Sequence, residues 1–261
     1  MIMLKSEEEV TVMAAASRIV ARTLIMLQSL VRPGVTTLEL DEATEATIRG
    51  LGGVPAFKGY RNFPCSLCVS VNEQVVHGIP SRRRLNDGDI VGLDVGAVVD
   101  GYYGDAAVTV AVGAASPPVE RLLRTTQQAL YDGIAQAKVG NRLSDISHAI
   151  QRRAEGAGYS VVTEFVGHGI GRQLHEEPQI PNFGPPGQGP RLRPGMVLAL
   201  EPMVNMGKSA VTILPDRWTV VTQDGSWSAH FEHTIAISEA GPRVLTAWEA
   251  EPVAREQASV G

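Results

Sequence analysis

The first fifty residues carry apolar side chains at the spacing of two helices. Ser6 followed by Glu9 has the pattern of a capping box, and apolar residues recur at helical spacing from Val10 to Pro33-Gly34. The same kind of pattern predicts a second helix that begins at Thr37 and ends at residue 50 or 52.

The rest of the chain alternates between strand-like and helix-like stretches. Apolar and β-branched positions predict strands within 64–76 and 89–99, and helical spacing predicts two amphipathic helices at 117–139 and 143–156. Short strands and loops are predicted after residue 158. Because strands and helices mix without strict βαβ alternation, the pattern indicates an α+β fold.

An internal repeat organises the two halves of the chain. Residues 85–94 align without a gap on residues 192–201, and each segment passes from a turn glycine through an apolar strand to a carboxylate at the strand's end. In each half a histidine comes before this carboxylate and another carboxylate follows it, giving His77, Asp94 and Asp105 in the first half and His168, Glu201 and Glu232 in the second. The repeat predicts two halves with pseudo-twofold symmetry and a shared site.

The repeated carboxylates point to bound metal. Burying Asp94 or Glu201 without a positive partner would cost several kcal/mol, and neither strand contains Lys or Arg. Four carboxylates and one or two imidazoles suit divalent ions, and carboxylates can bridge a pair of them. A single acidic residue or histidine is more often a cap, an ion-pair partner or a core residue, but the duplicated order favours a site.

Composition excludes several classes of function. The net charge of −5 argues against a nucleic-acid-binding surface, and two cysteines exclude a disulfide scaffold and suit a reducing compartment. The N-terminus lacks the apolar segment of an export signal, and the chain has no run of about 18 uninterrupted apolar residues. We therefore expect a cytoplasmic protein without a membrane span. A chain of 261 residues fits one catalytic domain, at 1–250, with a polar tail at 251–261.

The motifs together resemble those of type I methionine aminopeptidases over nearly the whole chain, up to about Leu245. The segments that carry the resemblance are Asn72–Pro80, Asp94 with Asp105 eleven positions on, Gly167–Gly171, His175–Pro178, Glu201–Met203 and Phe231–Thr234. The resemblance implies the pita-bread fold, with two related halves around a dinuclear metal site. It implies removal of the initiator methionine from nascent proteins and peptides with a small second residue, by a monomeric enzyme.

The resemblance also assigns roles to individual residues. It implies that two divalent ions (Co, Mn, Fe or Zn) are held by Asp94, Asp105, His168, Glu201 and Glu232. Glu201 would also shuttle a proton from the attacking water to the leaving amine. His175 would stabilise the tetrahedral oxyanion, and His77 would hydrogen-bond around the scissile amide.

The side chain of the substrate methionine is expected in an aromatic pocket. The resemblance places Tyr60, Phe63, Cys68 and Trp218 around it, and aromatic and sulfur groups suit a polarizable thioether. Phe57 and Leu174 occupy pocket positions where other members often differ. His230 stands where the family often has Gln; strand alternation puts it on the same face as Glu232, and a hydrogen-bonded supporting role is expected there rather than direct ligation.

Two other functions remain open from the sequence. The same fold and five ligands occur in Xaa-Pro peptidases, although those usually carry a large additional N-terminal domain. A non-catalytic relative could act as a binding protein, although such relatives tend to lose ligands and all five are present here. The Cys65–Cys68 spacing resembles a zinc or redox motif, but no second pair of cysteines exists, and we interpret it as chance.

Overall fold

Four long helices lie where the apolar spacing predicts them. The computed structural model describes residues 1–247, so the predicted polar tail lies outside the described residues. The helices are α1 (Glu7–Leu30), α2 (Thr37–Gly50), α3 (Pro117–Gln136) and α4 (Leu143–Gly156). The capping box of α1 is confirmed, with the Ser6 hydroxyl accepting from the backbone N–H of Glu9. Helix α3 ends three residues earlier than predicted, and α2 is capped by Thr36, which precedes the predicted first residue.

Fifteen mostly short strands and one short 3-10 helix (Tyr60–Asn62) make up the rest of the regular structure of the described chain. They are β1 (Val54–Pro55), β2 (Leu67–Val71), β3 (Gln74–Val76), β4 (Ile90–Val99), β5 (Tyr102–Ala111), β6 (Ser160–Val161), β7 (Gly167–Gly169), β8 (Glu176–Ile180), β9 (Val197–Leu200), β10 (Met203–Asn205), β11 (Val211–Ile213), β12 (Val220–Thr222), β13 (Ser228–His230), β14 (Glu232–Ser238) and β15 (Gly241–Val244). The strand predicted within 64–76 is two strands, because the chain turns at Asn72, which has a positive φ of 58°.

A nine-stranded sheet joins the two halves of the chain. Its main path runs β1-β4-β5-β14-β9-β7-β8, while β2 pairs with β4 and β15 pairs with β14. The hairpin β4–β5 comes from the first half, and the pair β9–β14 comes from the second. These pairs meet where β5 lies antiparallel to β14, with Glu232 opposite Ala107. This arrangement fits the symmetry that the repeat predicts.

The two repeat carboxylates occupy different places on their strands. Glu201 follows the last residue of β9, as predicted. Asp94 lies in the middle of β4, which continues to Val99, so the prediction that this carboxylate ends its strand is wrong. The ladder with β5 explains the difference, because it pairs every residue from Ile90 to Val99 and gives the chain no reason to leave the sheet at Asp94.

Helix α1 covers one face of the sheet and leaves the other for the site. Gly104 lets the helix approach closely, since a Cβ there would lie 2.8 Å from the backbone nitrogen of Ser17. Neighbouring strand residues point to opposite faces, so Asp105 points away from α1. On the neighbouring strand a Cβ at Gly96 would meet the Phe57 ring, and Asp94, two residues earlier, shares that face. The sheet therefore separates α1 from the carboxylates.

Helix α1 also has the length and hydropathy of a membrane span, with a mean hydropathy of 1.6 in its most apolar window. Its apolar run is interrupted by Arg18 and Arg22. Residues such as Met13, Val20 and Leu24 are fully buried against the rest of the protein. Within the part of the chain that the structure describes, no other helix meets these criteria.

Candidate active site

All eleven residues predicted for the site line one cavity of about 130 Å³. The cavity is bounded by Phe57, Tyr60, Arg61, Phe63, Cys68, His77, Asp94, Asp105, His168, Leu174, His175, Glu201, Trp218 and Glu232. Strands β4, β5, β7 and β14 supply four of these residues, and Glu201 follows β9. Phe57 and Leu174 belong to the lining, as the pocket resemblance implies, whereas Arg61 is an addition that the sequence gave no reason to expect.

The carboxylates converge around His168. One ligand atom each of Asp105, His168 and Glu232 lies within 4.8 Å of the others. The Nε2 atom of His168 lies 3.6 Å from Oε1 of Glu201. The other ring nitrogen, Nδ1, donates to the carbonyl of Gly169 over 2.9 Å, which leaves Nε2 as the nitrogen facing the carboxylates.

Burial makes these carboxylates difficult to ionise. It raises the pKa of Asp94 from 3.8 to about 7. Burial, and then the charges of neighbouring carboxylates, hold the pKa values of Asp105, Glu201 and Glu232 well above their ordinary range. No Lys or Arg of the described residues forms an ion pair with any of these four carboxylates. The described residues therefore provide no positive charge to balance the four carboxylates, and a bound cation would provide it.

The donor atoms fit divalent metal ions. Three carboxylate oxygens, on Asp94, Asp105 and Glu232, are buried without a hydrogen-bond partner, although buried polar atoms almost always have one. Burial lowers the pKa of His168 to about 3, so its ring is neutral, the form that binds metal. Carboxylates and a neutral imidazole are the donors that Mn, Fe, Co and Zn accept.

Hydrogen bonds from two side chains hold the backbone that carries Asp105 and Glu201. The Thr234 hydroxyl donates to the carbonyl of Asp105 over 2.7 Å and accepts from its backbone N–H over 3.1 Å. Asn182 donates to the carbonyl of Glu201 over 3.0 Å. Thr234 lies within a motif that carries the family resemblance, whereas nothing in the sequence identifies Asn182.

Aromatic rings form the apolar end of the cavity. Phe63 and Trp218 meet edge to face with ring centroids 5.1 Å apart. The Tyr60 ring stacks on His175 at 5.4 Å, and its hydroxyl lies 2.8 Å from Nδ1 of that histidine. Burial raises the pKa of the Cys68 thiol, so this wall is neutral. Ligand cavities for drug-sized molecules usually exceed about 300 Å³, so this one suits a single side chain.

Two histidines border the opening between the carboxylates and the aromatic wall. His77 adopts a left-handed φ of 58°, and Gly78 lets this loop touch β2, since a Cβ there would lie 2.0 Å from the carbonyl of Val69. Burial lowers the pKa of His77 to about 4, so its ring is neutral. His175 lies at the exposed rim of the cavity. Partial burial of its ring, and then the positive charge of Arg61, lower its pKa.

Neither Cys65 nor Cys68 forms a disulfide. Burial raises the pKa of Cys65 to about 11, the opposite of what an activated thiol requires. This agrees with the interpretation of their spacing as chance.

Comparisons with known proteins agree on one family. The sequence profile of metallopeptidase family M24 matches residues 11–239. Methionine aminopeptidase 1 of Bacillus subtilis is 54% identical over 246 residues, which cover 94% of this chain and 99% of that protein. The corresponding protein of Clostridium perfringens is 53% identical over the same shares of both chains.

Solved structures extend the similarity to the fold. The crystal structure of methionine aminopeptidase from Thermotoga maritima superposes with a TM-score of 0.94 at 46% identity, covering 95% of this chain and all of that one. Prolidase from Pyrococcus furiosus superposes with a TM-score of 0.78 at 22% identity, and the match covers only 66% of that longer chain. The prolidase similarity shows the fold alone, which is the pita-bread fold that the resemblance implied.

Proposed function

This chain belongs to metallopeptidase family M24 and is a hydrolase that removes N-terminal methionine with the help of divalent metal ions, and from that premise we propose which of its residues carry the reaction. The observation that supports the assignment most strongly is one cavity with unpartnered carboxylate oxygens in its wall and aromatic side chains at its other end. The carboxylate oxygens suit metal ions, and the aromatic end suits the methionine side chain.

The proposed metal ligands are five of the six residues that the repeat pairs across the two halves, His77 being the sixth. Asp94 and Asp105 come from the first half, and His168, Glu201 and Glu232 come from the second, so the two groups meet across the β5–β14 pairing. Together these five residues would hold two divalent ions. Bound divalent ions would supply Lewis acidity and lower the pKa of water toward neutrality. Their positive charge would also offset the repulsion among the carboxylates.

Glu201 is the proposed proton carrier. Its Oε1 lies 3.6 Å from Nε2 of His168, its Oε2 lies 3.8 Å from Nε2 of His230, and its pKa is raised by burial and by neighbouring carboxylates. A carboxyl group with a raised pKa can hold a proton near neutral pH and release it to a leaving amine. Asn182 donates to the backbone carbonyl of Glu201, which holds the main chain at the start of this side chain.

His77 and His175 are proposed to act on the peptide bond itself. Both rings have lowered pKa values and are neutral, so each can donate a hydrogen bond without adding positive charge beside the metal ions. His175 would stabilise the developing oxyanion, supported in its orientation by the Tyr60 hydroxyl at 2.8 Å. His77 would hydrogen-bond to the scissile amide from the other side of the opening.

Specificity is proposed to reside in Tyr60, Phe63, Cys68 and Trp218. Their aromatic and sulfur groups form a neutral wall that suits a thioether. A preference for a small second residue would mean a cramped subsite beside the metal ions.

The assignment is tested with two peptides and one chelator. Met-Ala-Ser should release free methionine when Co²⁺ or Mn²⁺ is present, and the release should stop after chelation and resume when metal is restored. An Ala-Pro peptide should stay intact under the same conditions. Cleavage of Ala-Pro with sparing of Met-Ala-Ser would favour the Xaa-Pro peptidases of this fold, and no hydrolysis of either would favour a binding protein.

We further propose that the enzyme acts in the cytoplasm, as a monomer, on nascent chains and methionyl peptides. The free thiols of Cys65 and Cys68 support a reducing compartment. Fractionation of cells, together with size-exclusion chromatography of the purified protein, tests the compartment and the oligomeric state.

A further inference from the structure

A fourth histidine, His230, lies close to the carboxylates but outside the lining of the cavity. His230 is the last residue of β13 and is buried, with 4% of its surface exposed. Its Nε2 atom has no hydrogen-bond partner. The nearest charged atoms are Oε2 of Glu201 at 3.8 Å and Oε2 of Glu232 at 4.0 Å. An imidazole nitrogen thus faces two of the proposed metal ligands without bonding to either.

The position of His230 is fixed by its backbone. Its N–H donates to the Thr109 hydroxyl over 2.9 Å, and that hydroxyl donates to the carbonyl of His230 over 2.8 Å. Buried polar atoms in folded proteins almost always have a hydrogen-bond partner. An N–H···O hydrogen bond spans about 2.7–3.2 Å, so neither carboxylate satisfies the ring directly. The expectation that His230 makes a supporting hydrogen bond is therefore not met by the contacts of the described residues.

The carboxylate of Glu201 lies between two imidazoles. Its Oε1 is 3.6 Å from Nε2 of His168, and its Oε2 is 3.8 Å from Nε2 of His230. Two ligand atoms that share one ion at about 2.0–2.2 Å each can lie at most about 4.4 Å apart. The distances on both sides of Glu201 meet this limit, and so does the distance from His230 to Glu232.

We propose that Nε2 of His230 is a sixth protein ligand of the metal centre, which then contains two imidazoles. This inference rests on the metal site proposed above. An added nitrogen donor favours borderline ions such as Co²⁺ and Zn²⁺ over Mn²⁺, which prefers oxygen. His230 therefore shifts the choice of metal further toward these ions than His168 does alone.

Proton NMR of the Co²⁺-loaded protein counts the metal-bound imidazoles directly. Each histidine bound through Nε2 keeps an Nδ1–H whose resonance is shifted far from the normal range by the paramagnetic ion and disappears in D2O. The wild-type protein should show two such resonances. His230→Gln should remove one, His168→Gln should remove the other, and His148→Gln should leave both, because His148 bonds to Gly184 away from the site.

The same spectra separate failure of this inference from failure of the metal site. A single shifted resonance that persists in His230→Gln and is lost in His168→Gln would overturn ligation by His230 while supporting the five-residue site. The absence of any shifted resonance would overturn both.

Metal affinity gives a second readout that does not depend on turnover. Competition with a chelator should show that His230→Gln binds Zn²⁺ at least about tenfold more weakly than the wild type. Its affinity for Mn²⁺ should change several-fold less. Equal losses for the two ions, or no loss for either, would overturn the proposed bias in metal choice.

Discussion

Removing one buried carboxylate should raise the free energy of unfolding of the metal-free protein at pH 8 and lower that of the metal-loaded protein. The change is Asp94→Asn, which keeps the size of the side chain. In the metal-free folded state the pKa of Asp94 is about 7, against 3.8 in the unfolded chain, because burial disfavours its charge. Ionisation is therefore harder in the folded state, and stability that is present below pH 4 is lost as the pH rises toward 7.

The size of this loss follows from the two pKa values. For Asp94 alone the free energy of unfolding should fall by about 2.6 kcal/mol between pH 5 and pH 8, at nearly 1.4 kcal/mol per pH unit near pH 5 and by less as the pH passes 7. Asn does not titrate, so the metal-free variant should escape this loss and be the more stable protein at pH 8. With saturating Co²⁺ the order should reverse, since the variant has lost a charged ligand.

Urea denaturation at pH 5 and pH 8, with chelator and with Co²⁺, measures all four combinations. Glu239→Gln is the matched control, because it removes one negative charge from an exposed turn. Its stability should follow the wild type within about 0.5 kcal/mol. If Asp94→Asn destabilises the metal-free protein at pH 8 as much as the metal-loaded protein, ionised Asp94 does not destabilise the metal-free folded state, and the reasoning is wrong.

Three further changes test other parts of the structure. His175→Ala should lower kcat on Met-Ala-Ser by about 10²–10³ with little change in KM, and a raised KM at unchanged kcat would assign the ring to binding alone. Gly104→Ala should lower the free energy of unfolding by about 1–3 kcal/mol in a denaturant titration, since its Cβ would press on the α1 backbone at Ser17; an unchanged midpoint would contradict the close packing of α1. Met-Ile peptides should be hydrolysed far more slowly than Met-Ala peptides, and equal rates for the two peptides would contradict a cramped subsite for the second residue.

The sequence was most informative where a pattern repeats. The duplicated order of histidine and carboxylates predicted a shared site, and the structure brings all five proposed ligands to one cavity across the β5–β14 pairing. Helix α1 was predictable because its cap and its apolar spacing are both local. These features depend on residues close together in the chain or on an internal copy.

Features that depend on distant contacts could not be predicted in the same way. Asp94 lies within β4 because β5 pairs along the whole strand, a register that no local pattern encodes. Arg61 reaches the cavity through a left-handed turn at a residue that is not glycine, which sequence patterns do not indicate. The isolation of the His230 nitrogen depends on distances to two carboxylates on other elements.

The central claim is that the five proposed ligands hold the metal ions on which methionine removal depends, and Glu232→Gln tests it most directly. Metal content per chain and release of methionine from Met-Ala-Ser should be measured on the same samples at limiting Co²⁺. The variant should keep the circular dichroism spectrum of the wild type, bind fewer ions and lose turnover by at least about 10³-fold. Wild-type metal content and wild-type turnover in this variant would contradict the assignment of the site.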